Sequence, residues 1–186
     1  EFKSVFIVNR KLRLNSISNK KGLKKLKNLR FTFGSENSTS GRLMPEYFLN
    51  NAGITVKEFK GQRAGFSGSH DATIALVNSG SYDAGVLNKQ VWENNVKNNP
   101  KRTKNITLFW ITPDYVDYHW VAQGNLDDIY RKGFTKQLKA AILNLEIKNP
   151  KDKEILDMFN AKKFIKAESS DYKDIEAIGR KLKKIR

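Results

Sequence analysis

Residues 31–41 read Phe31-Thr32-Phe33-Gly34-Ser35-Glu36-Asn37-Ser38-Thr39-Ser40-Gly41, and this run decides the fold class. The β-prone triplet predicts a strand that stops at Gly34. A helix then opens near Gly41 and runs to about Asn51, where Asn51-Ala52-Gly53 supplies a stop. Three consecutive hydroxyl residues at a helix start cap its first turn and leave backbone N–H groups pointing beyond it. With the positive end of the helix dipole, such a turn seats an anion. It is not a nucleotide P-loop, because no Lys-Ser or Lys-Thr follows the glycine. An ordinary capped helix uses the same residue types, so this segment alone leaves both readings open.

The phrase recurs downstream. Residues 63–66 are strand-like, Ser67-Gly68-Ser69 is a turn, and residues 70–78 predict a short helix that begins at His70. A neutral imidazole at a helix N-terminus donates a hydrogen bond to an oxyanion without adding a full charge. A lone histidine in that position is more often structural. Two polar strand-to-helix turns from adjacent units nevertheless open at the same carboxyl edge of a sheet, which is where open α/β folds bind ligands.

Working outward, residues 4–8 read as a strand, and residues 21–29 as a short surface helix with Leu23, Leu26 and Leu29 between lysines. Residues 82–87 and 106–111 predict two further strands around a helix over 89–98. Strands alternating with helices argue for an α/β sheet, largely parallel. After Thr112-Pro113-Asp114 the character changes. Residues 126–145 read as one long helix capped near Asn125, and two more helices follow near 153–159 and 171–185, the first opened by Pro150. Trp110, Tyr115, Tyr118, His119 and Trp120 crowd the boundary, where Asp117 beside Tyr118 can reach a cleft.

Composition narrows the function classes. The 186 residues carry a net charge of +16, which admits nucleic acid, an anionic membrane surface or anionic ligands as partners. The charge is uneven, with Lys20, Lys21, Lys24, Lys25, Lys27 and Arg30 crowding one early segment and Lys181, Lys183, Lys184 and Arg186 the end, but no nucleic-acid motif is visible, so a basic nucleic-acid-binding α/β domain is the alternative reading. The absence of cysteine excludes disulfides, and with only His70 and His119 a multi-histidine metal site is implausible. Nothing calls for a cofactor. No Gly-x-Ser-x-Gly elbow accompanies the serines, so no catalytic residue is assigned and the chain reads as a binder, not an enzyme.

The motifs together resemble a known family. Phe31-Thr32-Phe33-Gly34 with Asn37-Ser38-Thr39-Ser40-Gly41, Phe66-Ser67-Gly68-Ser69-His70-Asp71-Ala72 and Tyr82-Asp83-Ala84-Gly85 look like the phosphonate-binding proteins of ABC importers. Asn88-Lys89-Gln90-Val91-Trp92 and residues 112–118 resemble a subgroup labelled phosphonate or selenate binding. The resemblance implies a type 2 periplasmic-binding-protein-like α/β fold of two lobes that close on the ligand. It implies oxyanion contacts from Ser38, Thr39 and Ser40, with His70 contributing and Asn88, Asp117 and Tyr118 lining the remainder. It also implies a phosphonate, phosphite, phosphate or selenate-like ligand, a membrane permease as partner, no nucleic acid, and a periplasmic location at the transporter. On this reading residues 1–26 are a crossover strand and linker, and 27–112 are a complete lobe carrying the anion turns. Residues 113–186 are the return crossover and the C-terminal helical part of the other lobe, whose N-terminal segment the resemblance places outside this chain. The helices after residue 118 are then expected to expose an apolar face including Leu138, Ile142, Leu145, Ile155 and Phe159.

Overall fold

The computed structural model describes residues 2–159 and 161–185. Strands β1 (Ser4–Asn9), β2 (Phe31–Phe33), β3 (Gly65–Phe66), β4 (Ala84–Asn88) and β5 (Ile106–Ile111) form one five-stranded sheet in the order β3-β2-β4-β1-β5. β2 runs parallel to both β3 and β4. β1 lies antiparallel between β4 and β5, so β5 runs with β4. The expected parallel direction therefore holds for every strand but β1. The chain enters β1 from the carboxyl edge of the others, where Phe2 already pairs antiparallel with Tyr115, and must run against its neighbours.

β1 shows how the core is divided. Alternate side chains leave opposite faces of a strand, so Phe6 and Val8 join one apolar cluster while Val5 and Ile7 join another, all fully buried. On the first face lie Leu49 of helix α1 (Met44–Asn51) and Leu23 and Leu26 of a 3-10 helix, Lys20–Leu26. Ile74 and Val77 of α2 (His70–Ser79) and Trp92 of α3 (Lys89–Asn98) cover the second. A sheet covered on both sides explains why the strands read as nearly continuous apolar runs. The segment expected as a surface helix is instead this 3-10 turn. Its three-residue period eclipses Leu23 and Leu26, and both are driven to full burial.

Residues 118–171 form a second compact unit, while 172–185 pack with residues 2–117. In the second unit the single long helix expected over 126–145 is two helices, α4 (Leu126–Ile129) and α5 (Phe134–Leu143). Gly133 breaks it with φ 83°, a left-handed conformation that glycine adopts without steric cost. The Asp127 carboxylate then accepts from the Gly133 and Thr135 N–H groups at 2.8 Å each, and hydrogen bonding to the Thr135 side chain first, then to these N–H groups, holds its pKa below the usual carboxylate range. Asn149 caps α6 (Pro150–Met158), accepting from Lys151 N–H at 3.0 Å. Trp120, Phe159 and Phe164 meet edge to face. Leu138, Ile155 and Phe159 are exposed, and Ile142 and Leu145 are half-buried. In the first unit, α7 (Lys173–Lys181) sets Ile178 against Met44 and Tyr115.

Candidate functional site

The carboxyl ends of β2, β3 and β4, and the start of antiparallel β1, share one edge of the sheet. The parallel β2–β3 pairing continues past the strands. Ser67 N–H donates to the Phe33 carbonyl at 3.0 Å and Gly68 N–H to the Gly34 carbonyl at 3.3 Å. The two polar turns singled out in the sequence are thereby tied side by side.

The first turn is wound wide. Residues Thr39–Leu43 are π-helical, with Leu43 N–H donating to the Ser38 carbonyl at 3.0 Å, before α1 begins at Met44. The sequence reading started an ordinary helix here. The Ser38 hydroxyl oxygen caps the turn, accepting from Gly41 N–H at 2.9 Å. Gly34 and Gly41 allow the loop to fold back on its strand, since Gly34 N–H reaches the Gly41 carbonyl at 2.9 Å. A Cβ on Gly41 would lie 3.0 Å from Ser38 Oγ and 3.2 Å from the Gly34 Cα. Thr39 is half-buried and Ser40 buried. Among the described residues, Ser40 Oγ and Arg42 Nη1 are buried side-chain atoms without a hydrogen-bond partner. An unsatisfied buried hydroxyl costs about 1–3 kcal/mol, so Ser40 Oγ has a hydrogen bond still to make.

The Ser40 carbonyl accepts from Ser4 Oγ at 2.8 Å, and that hydroxyl also bonds Tyr115 Oη at 2.8 Å. Ser4 N–H donates to Thr112 Oγ1 at 2.9 Å. The turn is thus fastened to β1 and to residues 112–115. Sequence reasoning missed Ser4, Thr112 and Tyr115 because these contacts join residues far apart in the chain; a serine within an otherwise apolar strand was the available signal.

Ser69 caps α2 by accepting from Ala72 N–H at 3.1 Å, which sets His70 at the first helical position. His70 Nδ1 accepts from Asn88 N–H at a long 3.4 Å, so the neutral ring carries its proton on Nε2. Burial pushes its pKa below the usual imidazole value, against the opposing attraction of Asp71. Asn88 is buried, and its Oδ1 caps α3 by accepting from Gln90 and Val91 N–H groups at 2.8 and 3.3 Å. The Nδ2 group is what it retains to offer a ligand. Ser38, Thr39, Ser40, His70 and Asn88 therefore share the sheet edge. Asp117 is half-buried beyond the Thr112–Tyr115 crossover, and Tyr118 belongs to the other unit, where it is 75% exposed. The described residues hold no group of three His, Asp or Glu side chains suited to a metal.

His70 gives the site a pH signature. Its folded pKa lies below the unfolded value of about 6.5. Above that pH both states are neutral and the ring adds no slope. As pH falls below it the unfolded chain takes up the proton first, and stability declines. Urea unfolding between pH 8 and pH 5 is expected to show this loss, with a shallower slope in His70→Gln. Identical slopes would remove His70 as its source.

The pattern of the family described as "ABC transporter, phosphonate, periplasmic substrate-binding protein" matches residues 1–172. The chain is 77% identical, over all 186 residues, to the probable ABC transporter phosphite binding protein PhnD1 of Prochlorococcus marinus (strain MIT 9301), and spans 63% of that protein's length. The 1.52 Å structure of the Prochlorococcus PhnD1 with methylphosphonate aligns with a TM-score of 0.93, over 100% of this chain and 68% of that one. A binding-protein component of an ABC phosphonate transporter from Pseudomonas aeruginosa shares the fold, with a TM-score of 0.70 at 22% identity, over 95% of this chain and 56% of that one. The fold is that of type 2 periplasmic binding proteins, and no helix among the described residues is long and apolar enough to cross a membrane. The nucleic-acid alternative has no counterpart among these relatives. With the match running through both polar turns and well past half its length, the chain belongs to the periplasmic phosphonate-binding protein family of ABC transporters.

Proposed function

We propose that this chain binds a phosphonate or a similar small tetrahedral oxyanion (phosphite, phosphate or a selenate-like anion) for uptake by an ABC importer. Backbone N–H groups of Thr39 and Ser40, with the Ser38, Thr39 and Ser40 hydroxyls, hold the anionic oxygens. His70 donates through Nε2 as a neutral ring, Asn88 offers Nδ2, and Asp117 completes the ligand set. The observation that carries this reading is the buried, unpartnered Ser40 hydroxyl inside a turn fastened to its neighbour by the Ser67 and Gly68 N–H groups. The site works by binding and not by turnover. The protein resides in the periplasm and hands its anion to a membrane permease. The relative's complex with methylphosphonate supports the choice of ligand class.

Calorimetry with methylphosphonate tests it. Ser38→Ala with Thr39→Ala is expected to weaken binding by about 1–3 kcal/mol, the range for lost hydrogen bonds to a charged acceptor. Unchanged affinity in a folded double variant would remove the turn as the anion seat.

A further inference from the structure

Residues 10–30 contain nine Lys and Arg and no Asp or Glu, more than half of the net charge of +16. The structure gives this segment two sides. Leu12, Leu14, Ile17, Leu23, Leu26 and Leu29 all pack inward on the core cluster that covers one sheet face. The charged heads are left outside, and Lys11, Arg13, Lys20, Lys21, Lys24 and Lys25 are exposed. Those six have no salt-bridge partner among the described residues. By contrast, Lys27 pairs with Glu58 at 3.7 Å and Arg30 with Asp83 at 2.6 Å. The segment is therefore a strap whose apolar side is spent on the core and whose outer side is unneutralised cation.

Its position separates it from the anion turns. It leaves β1 at Asn9 and rejoins the sheet at Phe31, both at the edge opposite the carboxyl ends of β2 and β4. Exposed Lys57 and Lys60 extend the same edge, where Asn28 N–H donates to the Glu58 carbonyl and Lys60 N–H to the Leu29 carbonyl.

We propose that the strap over residues 10–30 is an adsorption surface for an anionic lipid bilayer. Ammonium groups on flexible stems suit a diffuse sheet of phosphate headgroups, to which each nearby cation adds a small screened attraction. No aromatic residue lies in the strap, so it lacks the stacking platforms of a single-strand nucleic-acid groove. No apolar side chain faces outward to insert, so contact is reversible and salt-sensitive. The choice of lipid over nucleic acid rests on the proposed role beside a membrane permease. Adsorption itself needs no phosphonate.

Co-sedimentation tests this with phosphatidylcholine vesicles, alone or with about 30% phosphatidylglycerol, the anionic surface such straps recognise. Binding is expected only to the anionic vesicles and to fall at least tenfold between about 0.05 and 0.5 M NaCl, as screening shortens the field. K20E/K21E/K24E/K25E is expected to lose binding at least tenfold with methylphosphonate affinity unchanged. K97E/K101E/K104E/K136E, which changes net charge equally at exposed lysines elsewhere, is expected to retain most of it. No binding to anionic vesicles at low salt overturns the proposal, and so does equal loss in both variants, which would make adsorption a matter of net charge alone. Tighter binding to a DNA duplex than to the vesicles would reassign the strap to nucleic acid. Displacement by inorganic phosphate beyond its ionic-strength effect would make it a seat for free phosphate. Failure of phosphonate binding leaves the vesicle result standing, so the two readings fail separately.

Discussion

Replacing Glu46 with alanine is expected to cost about 3–5 kcal/mol of unfolding free energy, the range for stripping one partner from a buried ion pair. Arg42 and Glu46 sit one helical turn apart just behind residues 38–40, with side chains only 11% and 15% exposed. The guanidinium meets the carboxylate through Nε at 2.8 Å and Nη2 at 3.1 Å. Its carbon lies 4.3 Å from the Phe33 ring centre and 4.6 Å from that of Phe66. Phe33 and Phe66 are the last residues of β2 and β3, so the same cation touches the strand ends that lead into both turns. Removing the carboxylate leaves the charge buried, and Nη1 is already without a partner. It also strips Lys184, 3.7 Å from Glu46, of its ion pair with α1. Urea unfolding measures the loss. A cost under about 1 kcal/mol would mean the site relaxes to admit water. Replacing the pair together, as Arg42→Met with Glu46→Leu, is expected to restore most of the stability, because well-packed apolar substitutes often match a buried ion pair.

Phe6→Ala is expected to cost a similar amount, about 3–5 kcal/mol, for a different reason. Phe6 is fully buried in the antiparallel strand, with ring centres 6.1 Å from Phe31 and 5.7 Å from Trp110. It pairs with Val86 on one side and Trp110 on the other. A cavity there has rigid strands on both flanks and little freedom to collapse. A measured loss near 1 kcal/mol would show that the aromatic cluster repacks around it.

The parts of this structure legible in the sequence are those governed by neighbours along the chain. Phe31-Thr32-Phe33 stops at Gly34 as expected, α3 spans Lys89–Asn98 as read, and β5 occupies Ile106–Ile111. Burial on both faces made these runs apolar, and local caps fixed their ends. The direction of β1 was not legible, because the four apolar residues Val5, Phe6, Ile7 and Val8 fit a parallel and an antiparallel slot equally well. α4 and α5 were read as one helix because their apolar spacing continues across Gly133, while the Asp127 side chain that stabilises the break acts over six and eight residues. At the site, the hydroxyl run and the histidine declared themselves through turn chemistry. Ser4 and Tyr115 did not, since their hydroxyl contact spans 111 positions, and Arg42 has the sequence signature of any polar residue early in a helix.

The placement of β1 has a kinetic consequence. The strand at the middle of the order from β4 to β5 precedes both partners by most of the folded unit, and Ser4 bonds to Thr112 across 108 positions. Neither edge of β1 can be satisfied until β4 and β5 have been made and brought back. Closing such long loops must be completed before the contacts that reward it form, which places this domain among slow folders. Until then the strand Ser4–Asn9, with its four apolar residues Val5 to Val8, offers two unpaired edges to any other chain. Nascent chains halted before residue 106 are the species in which that ribbon is most open to wrong pairing.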